Sequence, residues 1–172
     1  MTEIDAARAI LRDAFDRVAE QVSAVTDGLS TDDAKWRPDP GANSIAWLIW
    51  HLTRVQDDHL ADLAGTDQLW TNDGWHTRFS LPFDAAETGY GQSSDQVGQV
   101  VVDPADLAGY QQAVHRATLE YLDTLTEAEL ERVVDTRWDP PVTASVRLVS
   151  IVNDCTEHVG QAAYVKGMLG RR

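Results

Sequence analysis

The chain has almost no cysteine, no excess of basic residues and no long apolar run. Its single cysteine, Cys155, excludes an internal disulfide and fits a reducing compartment. Lys and Arg number 14 against 28 Asp and Glu, for a formal net charge of −14. Such a surface repels phosphate backbones and anionic lipid, which argues against nucleic acid or membrane surfaces as partners but not against a cation. No stretch reaches the roughly 20 apolar residues that a membrane span needs. Met1–Asp5 lacks a basic leader segment and the residues after it are amphipathic, so no signal peptide is expected. Internal repeats and low-complexity tracts are also missing. Together these absences predict a cytoplasmic protein.

What is present is the profile of an ordinary globular domain. At 172 residues, 43% apolar and 24% charged, the chain suffices for one domain, residues 1–172, with a proper core. Apolar residues from Ile4 through Ala7, Leu11, Phe15, Val18, Val22 and Val25 recur at three and four, predicting a helix from about Ile4 to Leu29. Thr31–Trp36 reads as a short turn stopped by the Pro38–Gly41 breaker. Asn43 or Ser44 caps a second helix that runs to Ala64 and stops at Gly65. Asp103 with Pro104 opens a third, carried by Leu107, Tyr110, Val114, Tyr121, Leu122 and Leu125. Thr126 to Glu129 forms a capping box, and Val133–Val142 looks extended. Thr143 or Ser145 caps the last helix, Val146 to Leu169, with Gly170 as its stop. The expected fold is all-α, a four-helix bundle with sites between facing helices.

Between Gly65 and Pro104 the helical period fails, apart from one short helix expected at Ser93 or Ser94. This long loop is rich in aromatics, with Trp70, Trp75, Phe79, Phe83 and Tyr90. Loops of that length are usually functional or disordered, and so much ring area argues for burial.

Two distant fragments carry the candidate chemistry. His51 shares a helix face with Leu48, Leu52 and Val55 and so points inward. Asp154 and His158, four apart, project from one face of the last helix. If the two helices pack together, imidazole, carboxylate and imidazole converge as a three-ligand set for Zn²⁺ or a similar ion, with one coordination position open. A buried histidine alone is more often a hydrogen-bonded core residue, and Asp154 with His158 could simply be an ion pair. Spacing does not separate these readings.

The constellation resembles the DinB-like (YfiT-like) metalloprotein superfamily, which includes thiol S-transferases and the mycothiol-dependent maleylpyruvate isomerase. Its members place a histidine in the second helix, often as His-Leu, matched by His51 and Leu52. They place a pair four apart in the last helix followed by Gly-Gln, matched by Asp154, His158, Gly160 and Gln161. The first of that pair is commonly histidine, and a carboxylate in the isomerase branch. The segments Gly41–Leu52 and Gly74–Phe79 look like an actinobacterial branch linked to mycothiol. The resemblance implies His51, Asp154 and His158 as ligands of a divalent metal, zinc first and nickel or iron next. It also implies mycothiol as thiol co-substrate, whose metal-activated sulfur attacks a small electrophile in a detoxifying S-transfer.

Weaker candidates surround that set. Gln161 could donate to a bound group. Trp75, Arg78 and Tyr90 in the aromatic loop are candidate substrate or cofactor contacts, as is His76 beside them. His115 could line the cavity. His59, two turns from His51, is either an outer partner or a surface residue. Cys155 needs no role beyond packing, and Glu157 should face solvent. Trp36 and Trp47 are read as exposed and as candidates for a homodimer face. A non-catalytic metal-binding or structural stress protein is the alternative from another class. Cis–trans isomerisation ranks lower, because isomerases of this kind often carry an additional C-terminal domain.

Overall fold

The four periodic segments form the four long helices of a computed structural model, which describes residues 2–171. They are α1 (Glu3–Thr26), α3 (Ile45–Ala64), α7 (Pro104–Thr124) and α9 (Ala144–Leu169). Short elements fill the connections: α2 (Thr31–Lys35), α4 (Leu69–Asn72), α5 (Trp75–Phe79), α6 (Ser94–Val97), α8 (Glu127–Glu131), β1 (Val133–Asp135) and β2 (Val142–Thr143). The fold is all-α, with one small antiparallel hairpin pairing Val133 with Thr143 and Asp135 with Val142.

Local chemistry sets most boundaries. Ser44 accepts from the Trp47 amide and starts α3, and Gly65 at φ 67° ends it. Asp103 caps α7 ahead of Pro104, and Thr143 caps α9. The first helix stops at Thr26 rather than Leu29, because Asp27 turns extended and Gly28 follows at φ 70°.

The aromatic stretch departs most from expectation, since it contains two helical turns that periodicity does not show. Both are too short to display a period, and neither Gln68 nor Gly74 caps its own helix with a side chain. The missing acceptor for α4 comes from α3. Asp57, 3% exposed, takes the Leu69 and Trp70 amides at 3.0 and 2.8 Å and the Tyr110 hydroxyl at 2.7 Å. A distant carboxylate thus does the work of an N-cap. Trp70 then packs on Trp50, Phe79 and Tyr110, so the stretch is pinned to the bundle by rings.

Around the bundle the order is α1, α7, α3, α9, with α1 opposite α3. Arg8 reaches the Leu125 carbonyl and Arg12 reaches Asp123, so α1 and α7 are antiparallel. Cys155 lies against Leu52, and Arg147 against His59, so α3 and α9 are antiparallel too. Lys166 bonds the Ala24 and Asp27 carbonyls, placing the C-terminal end of α9 beside that of α1. The path is therefore up-down-down-up, with α3 and α7 parallel neighbours. No described helix is long and apolar enough to cross a membrane.

Trp47 is not on an exposed face: it is 7% exposed, and Trp36 is half-buried against the core. Trp47 falls on the side of α3 covered by the crossover, a layer that helical period alone does not reveal.

Candidate metal centre

Helices α3 and α9 are neighbours, and their seam brings His51, Asp154 and His158 together. One ligand atom from each lies within 4.8 Å of the other two. The ring centroids of His51 and His158 are 4.8 Å apart. His158 Nε2 stands 3.6 Å from Asp154 Oδ1.

The hydrogen bonds behind the imidazoles fix which nitrogen faces the common point. His51 Nδ1 lies 2.6 Å from the Thr88 carbonyl, which can only accept, so Nδ1 carries the proton and Nε2 offers its lone pair. His158 Nδ1 lies 3.1 Å from Gln161 Oε1, with the same result. Metal-ligating histidines are held in this way by carbonyl or carboxylate partners. Burial is the main cause pulling His51 below the usual imidazole value, and the charge of His158 adds to it. The Thr88 bond and Asp154 oppose it. The neutral ring, the form that ligates, is thereby favoured.

The ion-pair reading fits less well. A charge-assisted N–H···O contact settles at roughly 2.7–2.9 Å, shorter than the 3.6 Å seen here. Asp154 Oδ2 is buried without a hydrogen-bond partner, a costly state for a carboxylate that has no cation beside it. Two imidazole nitrogens, a carboxylate and an orphaned oxygen suit a divalent ion. His51 is 5% exposed, whereas the side chains of Asp154 and His158 are 32% and 18% exposed. Solvent therefore reaches the site from the α9 side.

The crossover between α3 and α7 closes the other side. Trp47, one turn before His51, stacks on its ring at 4.6 Å and 16° and presents an edge to His158. Trp47 Nε1 donates to Gln92, which in turn donates to Glu87. Gly89 sits at φ 96° against His51 and Trp50, where a Cβ would meet His51 Nδ1 at 2.9 Å. Arg54, fully buried, donates to the Glu87 and Ala85 carbonyls and to Gln68. It holds the backbone that presents Thr88.

Apart from Gln161, the other candidates lie elsewhere. Trp75 packs on Tyr110 and Phe79, and Arg78 covers Trp75 and pairs with Asp106, so both serve the α5–α7 contact. His76 sets its edge to Trp70. Tyr90 is 93% exposed. His115 does not line the site; it faces α1, with Nε2 3.0 Å from Asp16. Gln161 is engaged with His158 as a positioning partner. His59 lies beside Arg147 and Asp58, and burial then Arg147 lower its pKa. Cys155 is fully buried against Leu52 and Gln56, and burial pushes its thiol up. Of the residues missed, Trp47 had a signal in its one-turn spacing from His51. Arg54 had one as a charge one turn after Trp50, close behind the apolar run Ile45–Trp50. Thr88 and Gly89 had none.

The sequence matches the family model of the DinB superfamily over residues 14–162. The chain belongs to the DinB superfamily. Metal binding is frequent among DinB-like proteins, and the His51–Asp154–His158 cluster gives this one a set able to hold an ion. The fold is similar to the crystal structure of a conserved protein from Enterococcus faecalis, at 31% identity and a TM-score of 0.89, covering 95% of this chain and 97% of that one. No curated protein matches the sequence.

Proposed function

We propose that this DinB-superfamily chain is a divalent-metal-dependent thiol S-transferase that joins a small-molecule thiol to a small electrophile. The observation that carries the reading is the convergence of His51, Asp154 and His158, with both imidazoles held by acceptors at Nδ1 and with solvent on one side. Zinc is the proposed ion, and nickel and ferrous iron suit the same donors. A divalent ion held there would lower the pKa of a thiol bound to it and so would supply a thiolate at neutral pH.

The protein's own side chains do the rest. His51, from the buried side, and His158, from the open side, present Nε2 in fixed directions, and Asp154 contributes negative charge and a second oxygen. Trp47 stacks on His51 and excludes water from behind it. Gln161 keeps the His158 ring from turning. Mycothiol is the proposed thiol; support for it comes from the likeness of Gly41–Leu52 and Gly74–Phe79 to mycothiol-linked sequences.

Metal analysis of the purified protein tests the first step. One equivalent of zinc, nickel or iron is expected in the wild type and should be lost in His51→Ala. Protein purified anaerobically without metal would remove the proposal. Consumption of mycothiol, bacillithiol or glutathione with chlorodinitrobenzene then tests transfer. Turnover with none of them would leave a metal-binding protein without this activity.

A further inference from the structure

Helix α9 is covered by α3 on one side and by α1 on another, and its remaining side faces solvent. That outer side is almost free of charge. Of the eleven exposed residues of α9 only Glu157 is charged, whereas five of the ten exposed in α1 are. In a chain that carries −14 this sets the face apart from an ordinary solvated surface, since loss of charged residues is the mark of an interface core. Val146, Val149 and Tyr164 are each half exposed or more. With Asn153, Glu157 and Gly160 they fall within about 80° of one another and form one stripe along the helix. The stripe is centred roughly 100° or more around α9 from Asp154 and His158.

Two glycines lie in the stripe. Glycine inside a helix is destabilising relative to alanine, yet an added Cβ at Gly160 or Gly167 would meet nothing within 4 Å. No contact within the chain calls for glycine there, and each leaves a notch that another helix can approach closely. The stripe is also self-complementary about its midpoint at Thr156 and Glu157. Laid antiparallel on its own copy, it sets Val149 opposite Tyr164, Val146 opposite Gly167 and Asn153 opposite Gly160.

We propose that this face of α9 is the contact of a two-fold symmetric homodimer, in which two α9 helices run antiparallel and cross at Glu157. Charge selects a second copy as the occupant. Two chains of −14 that meet through their acidic faces set many like charges together, whereas here one carboxylate nears its twin. Asn153 donates to Glu157 at 2.9 Å within each copy and holds that carboxylate along its own helix. The 26 residues of α9 span about 39 Å, and a strip about 12 Å wide covers roughly 470 Å² per copy. A total near 900–1000 Å² is the size of a weak interface, with a Kd of about 10–100 μM.

Sedimentation equilibrium of the full chain reads the dimer directly. The wild type is expected to dimerise in that range and to tighten with added salt, which screens the repulsion between copies. Glu157→Gln keeps an acceptor for Asn153, removes the like charges, and should tighten the dimer at least about 3-fold. Val149→Glu should weaken it about 10-fold or more. Gly160→Leu is the deciding variant: it should raise the urea midpoint, measured at about 1 μM where the chain is monomeric, and still weaken the dimer about 10-fold. Val149 is exposed, so its variant keeps the test sound should Gly160→Leu disturb the helix. A wild type that stays monomeric at about 1 mM overturns the proposal and leaves the face to a different protein or to none. A dimer of unchanged affinity in Val149→Glu or Gly160→Leu uses another surface and overturns it too, as does dissociation by salt or a failure of Glu157→Gln to tighten the pair.

Discussion

Gly89→Ala is the substitution from which the structure demands most. A Cβ at this position would lie 2.9 Å from His51 Nδ1, 3.0 Å from Trp50 Cζ3 and 3.3 Å from Trp47 Cζ2. None of these groups can retreat easily. Trp50 is 1% exposed, His51 is bonded to Thr88, and Trp47 is stacked and tied to Gln92. The φ of 96° adds a backbone cost of about 1–2 kcal/mol for any L side chain. Overpacking adds about 1–3 kcal/mol. The expected loss of stability is therefore about 2–5 kcal/mol. Relief by moving the loop carries the Thr88 carbonyl off His51, and loss of such a partner lowers metal affinity by about 10–100-fold. Gly91→Ala is the internal control. Its φ is 74°, but no heavy atom lies within 4 Å of the added Cβ, so only the backbone cost of about 1–2 kcal/mol applies. Urea unfolding of the metal-free proteins and competitive cobalt titration measure the two effects. Equal unfolding midpoints and equal metal affinity for the two variants would refute the account of how the crossover holds His51.

Gln161→Leu removes the acceptor at His158 Nδ1 from an exposed position. Metal affinity by cobalt titration should fall about 10-fold or more with little change in unfolding midpoint, and an unchanged affinity would dismiss Gln161 as a positioning residue. Burial holds His115 below the ordinary imidazole value, with Asp16 opposing, and His51 and His59 shift the same way. As pH falls through about 6.5 the unfolded chain therefore takes up protons that the folded chain resists, and stability drops. The urea midpoint should decline between about pH 7.5 and pH 5.5, less so in His115→Gln; an identical decline in both would remove His115 from the effect.

The bundle was legible because its information is local and periodic. Ser44, Gly65, Asp103 with Pro104, and Thr143 mark helix ends by chemistry that acts within four residues. The meeting of His51 with Asp154 and His158 followed from inward-facing spacing once α3 and α9 were taken as neighbours. The crossover was not legible in the same way. The first turn of α4 depends on Asp57, which lies 12 residues before Leu69, and Thr88 contributes a backbone carbonyl that no side chain advertises. Aromatic content correctly indicated order between Gly65 and Pro104. It did not indicate that Trp75 packs on Tyr110 or that Arg78 pairs with Asp106, both contacts to α7. His115 sits at the edge of an apolar stripe, and only the placement of α1 decides which way that edge faces.

The parallel course of α3 and α7 has a consequence for how such a scaffold diversifies. Joining them requires a return over roughly 30 Å, which about ten extended residues could span. Gly65–Asp103 occupies 39 positions instead. The surplus is what backs one imidazole, while the three candidate donors themselves belong to the helices. Insertions or exchanges along that return path can thus reshape ligand choice without disturbing the framework, so divergence in specificity should concentrate there.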